Sequence, residues 1–218
     1  MIIKFCGFKT ESDIKKIRKI EVDAVGFIHY PNSKRHVSLN QLKYLAKIVP
    51  DHIEKVVVVV NPQISTIKRI INQTDINTIQ LHGNESIELI RNIRKLNSKI
   101  RIIKAIPATR NLNNNIQKYK DEIDMFIIDT PSITYGGTGQ SFDWKLLKKV
   151  KDVDFLIAGG LDFEKIKRLE KYSFGQRGYD ISTGIESHNE KDFNKMTRIL
   201  KFLKGDEWLM KIQTEVDE

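Results

Sequence analysis

Short apolar, β-branched runs alternate with longer amphipathic stretches along nearly the whole chain, and this alternation limits the fold more than any other feature of the sequence. Residues 2–5, 24–28, 54–60, 78–81, 99–105, 124–128, 154–158 and 178–181 read as strands. Residues 12–20, 39–48, 64–73, 86–96, 112–119, 144–150, 163–170 and 193–203 carry helical spacing, with Ile14, Ile17 and Ile20 on one face of the first and Ser38 as a cap for the second. The five consecutive valines 56–60 read as a strand buried on both faces, as in a parallel sheet. About eight strand–helix units are what closes a barrel, so the expected fold is α/β, a single-domain (β/α)8 TIM barrel over residues 1–205. An open Rossmann sheet ranks second: it would have fewer strands and a Gly-x-Gly-x-x-Gly turn after the first, where this chain has Cys6-Gly7-Phe8. The tail, 206–218, reads as a short extra helix or a disordered end, and its role is unassigned.

The chain has 218 residues, 40% of them hydrophobic, which suits one large soluble domain. Its net charge is +9, from 37 Lys and Arg against 28 Asp and Glu, spread without a block of five or six like charges. No nucleic-acid partner is expected from so diffuse an excess, which would also attract small anions. A single cysteine excludes an intramolecular disulfide and fits a reducing compartment. The apolar start is interrupted at Lys4, unlike a signal peptide, and no apolar run approaches the roughly 20 residues that span a bilayer. A cytoplasmic protein without membrane partners is expected. A monomer is expected too, for want of a long exposed apolar stripe.

In such a barrel, Cys6, His82, Asp129, Gly159-Gly160 and Asp180 all fall at or just beyond strand ends, on the C-terminal rim where barrel enzymes hold their chemistry. Cys6 taken alone reads first as a small buried hydrophobe. A thiol titrates near ~8.5, however, and nearby cations lower that, making a nucleophile or base. Asp129 ends an apolar strand, so it is either a cap or a partly desolvated carboxyl whose protonated form is favoured and can act as a general acid. Gly159-Gly160 before a helix and Ser182-Thr183-Gly184 after the eighth strand are either tight turns or an anion site. Their position in the seventh and eighth loops points to phosphate. Arg35 is a solvated arginine or a carboxylate clamp. His82 is a turn hydrogen-bonder or a substrate contact, and Asp180 points to the rim or the interior, within reach of sugar hydroxyls. Gly136-Gly137-Thr138-Gly139 is a flexible loop, a lid or an anion nest. The histidines show no ligand spacing and one cysteine cannot build a zinc cluster, so no metal is expected.

Taken together, these motifs closely resemble the phosphoribosylanthranilate isomerase family of tryptophan biosynthesis. The matching elements are Lys4-Phe5-Cys6-Gly7, Gly26-Phe27 with Ser33-Lys34-Arg35, Gln80-Leu81-His82-Gly83, Asp129, Gly136-Gly137-Thr138-Gly139 with Phe142-Asp143-Trp144, Ala158-Gly159-Gly160-Leu161, and Asp180-Ile181-Ser182-Thr183-Gly184-Ile185-Glu186. They run in family order over about residues 2–205. The resemblance implies a TIM barrel performing an Amadori rearrangement of the phosphosugar N-(5-phosphoribosyl)anthranilate. Cys6 then matches the general base, Asp129 the general acid and Arg35 the group that engages the anthranilate carboxylate. Gly159, Gly160 and Ser182, Thr183 and Gly184 match the phosphate site, and His82 and Asp180 match further active-site positions. One acid and one base suffice, so no cofactor is implied. Phe8 departs from the smaller aliphatic usual there. Asp162 would oppose phosphate if it pointed inward, but it is also placed to cap the next helix. Related phosphosugar barrels fit less well: indole-glycerol-phosphate synthase wants catalytic lysine and glutamate, and a ribulose-phosphate epimerase wants paired aspartates with metal-binding histidines.

Overall fold

The computed structural model describes residues 1–131 and 143–205. Eight parallel strands close a barrel in sequence order: β1 (Ile2–Cys6), β2 (Ala24–Ile28), β3 (Glu54–Val59), β4 (Thr78–Leu81), β5 (Arg101–Pro107), β6 (Met125–Asp129), β7 (Phe155–Ile157) and β8 (Gly178–Ile181). The seam is the pairing of β1 with β8, in register from Ile2 opposite Gly178 to Phe5 opposite Ile181. Outside run α1 (Glu11–Ile17), α2 (Leu39–Ile48), α3 (Ile64–Gln73), α4 (Ile87–Leu96), α5 (Leu112–Tyr119), a 3-10 helix (Trp144–Lys149), α6 (Phe163–Leu169) and α7 (Phe193–Lys204). The alternation in the sequence is therefore that of a (β/α)8 barrel.

Helix starts are fixed by short polar side chains that accept from first-turn amides. Thr10 and Ser38 form capping boxes with Asp13 and Gln41. Ser86, Asp162 and Asp192 accept from the amides of Leu89, Lys165 and Lys195. Three expectations shift, the first being that α1 ends at Ile17 and leaves Ile20 in the turn beyond it. The segment before β7 is a 3-10 helix rather than an α-helix. The fifth strand begins at Arg101 and runs on to Pro107, which stands opposite Asp129.

The period of two along each strand divides the core. Outward residues such as Ile3, Phe5, Val57, Val59, Phe126 and Ile128 pack under the helices. Inward residues Ile103, Ala105, Met125, Ile127, Leu156 and Ala158 fill the barrel, with Ile2 against them. Continuing that inward row upward puts Asp129 after Ile127, and Lys4 and Cys6 after Ile2, toward the C-terminal mouth. Among the described residues, no helix is long and apolar enough to cross a membrane.

Candidate active site

The inward row ends in a cavity at the barrel mouth. It is lined by Cys6, Arg35, His82, Asp129 and Asp180, by Gly159, Gly160, Ser182 and Thr183, and by the apolar Ile28, Val58 and Val60. Residues from seven strands or their following loops thus meet around one space. Nearly the whole set singled out in the sequence is brought together there.

Cys6 lies at the end of β1, 6% exposed. Burial pushes its thiol up, because a thiolate is poorly solvated there; Lys4 opposes that, Asp180 adds to it, and Lys191 opposes it. The lowering expected from cations is therefore present but outweighed by burial. Asp129 holds both carboxylate oxygens in place: Oδ1 accepts from the Thr130 amide at 2.7 Å, and Oδ2 lies 3.3 Å from His82 Nε2. The Gln80 amide nitrogen is 3.1 Å from His82 Nδ1. With that amide orientation Nδ1 accepts, the ring proton sits on Nε2, and His82 donates to Asp129. His82 thus lines the cavity and meets the acid candidate, a contact that neither of its two sequence readings named.

Asp180 points inward and accepts from the Lys4 ammonium at 2.7 Å. Arg35 reaches across to Glu186 with two parallel bonds, Nε at 2.8 Å and an amino group at 2.6 Å. Glu186 also accepts from Lys191 at 2.6 Å, and the same ammonium donates to the Cys6 carbonyl at 2.6 Å. Arg35 is neither solvated nor loose: one edge of its planar fork is anchored while the side chain lines the cavity.

Gly159 and Gly160, at φ 93° and 58°, turn the chain across the mouth in conformations that favour glycine. They are not part of a helix N-terminus, since α6 begins at Phe163 and its first turn is capped by Asp162, whose Oδ1 accepts from Lys165 at 2.8 Å. Capping also disposes of the Asp162 departure, because its carboxylate is spent on α6. Gly184 does not line this cavity. A Cβ there would stand 1.9 Å from the Leu161 carbonyl, so this glycine lets the loops after β7 and β8 touch, and it faces a second hollow outside with Lys195 and Arg198. Phe8 is fully buried, with Lys191 5.5 Å above its ring. Gly136-Gly137-Thr138-Gly139 lies outside the described residues, as does the 206–218 tail. Among the described residues, no group of three or more His, Cys, Asp or Glu is arranged to hold a metal ion.

Sequence reasoning gave no role to Lys4, Gln80, Glu186 or Lys191. The signal for Lys4 and Gln80 was their spacing: each sits two residues before Cys6 or His82 and so shares its face. Glu186 and Lys191 carry no such mark, because their partners come from β1 and the loop after β2.

Fold and site define a (β/α)8-barrel enzyme working at the C-terminal mouth. The sequence matches the family profile described as N-(5'-phosphoribosyl)anthranilate (PRA) isomerase over residues 3–202. A curated N-(5'-phosphoribosyl)anthranilate isomerase of Staphylococcus epidermidis is 94% identical over 207 residues, covering 95% of this chain and 100% of the relative. The crystal structure of phosphoribosyl anthranilate isomerase from Thermotoga maritima superposes with a TM-score of 0.83 at 30% identity, covering 94% of this chain and 100% of that one. A further structure of the isomerase, in complex with reduced 1-(o-carboxyphenylamino)-1-deoxyribulose 5-phosphate, matches at TM-score 0.78 and 27% identity, covering 94% and 100%. The chain belongs to the phosphoribosylanthranilate isomerase family, and is an isomerase of tryptophan biosynthesis.

Proposed function

We propose that Asp129 is the general acid and Cys6 the general base in an Amadori rearrangement of N-(5-phosphoribosyl)anthranilate to 1-(2-carboxyphenylamino)-1-deoxyribulose 5-phosphate. Asp129 gives its proton to the ribose ring oxygen as the C1–O bond breaks, leaving a protonated Schiff base. The iminium acidifies the C2 proton, which the Cys6 thiolate removes. The resulting enolamine tautomerises to the ketone, so atoms and protons balance without a redox step.

The observation that carries this reading is that Cys6 and Asp129 line one cavity, with Arg35, Gly159, Gly160, Ser182 and Thr183 around it. The family ligand cited above has a carboxylate and a phosphate at opposite ends. Arg35 takes the carboxylate in this proposal, and the loops after β7 and β8 take the phosphate. His82 steadies Asp129, and Asp180 faces the sugar hydroxyls.

Loss of anthranilate fluorescence tests it, with substrate generated in place from anthranilate and phosphoribosyl pyrophosphate by the transferase. Rapid conversion on adding the purified protein is expected. A folded protein that leaves the signal decaying at the background rate would refute the proposal.

A further inference from the structure

Lys4 stands two residues before Cys6 on β1, so both side chains enter the barrel on the same face. In register it lies opposite Asp180 on one side and Ala24 on the other, while Cys6 lies opposite Gly26. Gly26 shows how close the two head groups come. A Cβ built there would stand 2.6 Å from Cys6 Sγ and 3.2 Å from Lys4 Nζ, so sulfur and ammonium share the space that the missing side chain leaves. The lysine side chain is 1% exposed and Asp180 9%. Burying such a pair carries a desolvation cost that well-packed apolar residues would avoid, so stability alone gives a weak reason for it. Other ionisable groups face Cys6 as well. Lys191 donates to its carbonyl, Arg35 passes beside Gly7 to reach Glu186, and His82 and Asp129 line the same cavity. Of these cations Lys4 is the one on the sulfur's own strand face, with its ammonium held by Asp180 at 2.7 Å beside the space that the sulfur enters.

We propose that Lys4 is a positioning residue for the base: its ammonium, held on Asp180, turns to the Cys6 sulfur and stabilises the thiolate that takes the C2 proton. When the sulfur is protonated, the ammonium is balanced by Asp180 alone. When it is a thiolate, the same ammonium faces both anions, so the new charge forms beside a cation and the cluster takes on one net negative charge. The identity of the base rests on the function proposed above; the electrostatic link between Lys4 and Cys6 does not.

Cys6 is the only cysteine in the chain, so its alkylation by a haloacetamide reports one site. The alkylation rate is followed against pH in the wild type and in Lys4→Met, Lys4→Arg and Asp180→Asn, with circular dichroism as the check on folding. Lys4→Met should move the midpoint up by at least about one pH unit, a roughly tenfold slower reaction at neutral pH. Lys4→Arg should restore most of it, and Asp180→Asn should move the midpoint down. If Lys4→Met does not fold, the Lys4→Met/Asp180→Asn double variant removes both buried charges, and its midpoint should still lie above the wild type. An unchanged midpoint in the folded variant would overturn the inference. The acid limb of kcat/KM should move in step with the alkylation midpoint. Alkylation that shifts while the turnover profile stays fixed would uphold the link and count against Cys6 as the base.

Discussion

Replacing Glu186 by Gln should remove a stabilising contribution that depends on pH in a defined way. The Glu186 side chain is 10% exposed, and it accepts from Arg35 at 2.8 and 2.6 Å and from Lys191 at 2.6 Å. Burial alone would raise its pKa, but Arg35 and Lys191 outweigh burial and hold the carboxyl down from 4.5 to about 2. Folded Glu186 thus binds its proton less readily than the unfolded chain does. Its contribution is present in full above about pH 4.5 and is lost as the pH falls towards 2. The gap corresponds to about 3 kcal/mol at neutral pH, falling to about 1 kcal/mol at pH 3 and to a fraction of that at pH 2. Urea unfolding of the wild type and Glu186→Gln from pH 7 down to pH 2 measures it. The stability difference between the two should shrink over that window towards a constant remainder set by the neutral hydrogen bonds that glutamine fails to keep. A difference independent of pH would refute the reasoning, since it would mean that Glu186 is not held by charge.

Other substitutions test separate parts of the site. Arg35→Ala should raise KM while changing kcat little, if the guanidinium holds the substrate carboxylate equally in ground and transition states, and steady-state kinetics would show it. An unchanged KM would remove Arg35 from binding. Glu85→Ala leaves the buried Lys104 without its carboxylate partner 3.0 Å away, and takes the acceptor from the Gly83 and Asn61 amides. It should cost about 3–5 kcal/mol in urea unfolding, because an unpaired buried charge remains; a loss below about 1 kcal/mol would show that the ammonium finds water. Asp162→Ala should cost about 1 kcal/mol as a lost helix cap, with KM for the phosphosugar nearly unchanged. A marked fall in KM would mean that the Asp162 carboxylate acts on the phosphate rather than on α6.

The groups at strand ends were legible in the sequence for a geometric reason. In a parallel barrel each strand points the same way, so a polar residue just past an apolar run lands on the same rim, and Cys6, His82, Asp129 and Asp180 meet at one cavity. What the sequence hid were charges inside strands. Lys4 looked like an interruption in an apolar start, yet it is buried on Asp180. Lys104 breaks the run of β5 in the same way, and it is buried on Glu85 and on the carbonyls of Leu81, Gly83 and Ala105. A strand pattern assigns such a lysine to solvent, because its partners are supplied by other strands and loops far along the chain. The same distance hid the role of Glu186, whose bond to Arg35 joins residues 151 apart. The turns after β7 and β8 were legible as parts of the cavity wall but not in detail. Only the structure separates Gly159 and Gly160, which line the mouth, from Gly184, which lets two loops touch.

The division of labour between Cys6 and Asp129 is tested most directly with substrate deuterated at C2 of the ribose, following deuterium release to solvent in the wild type, Cys6→Ser and Asp129→Asn. The wild type should release the label with a primary isotope effect on turnover. Cys6→Ser should lose C2–deuterium cleavage by about 100-fold or more, and Asp129→Asn should lose it as well, because the iminium that acidifies C2 no longer forms. Label release by Cys6→Ser at the wild-type rate would contradict the account, since another group would then be taking the C2 proton.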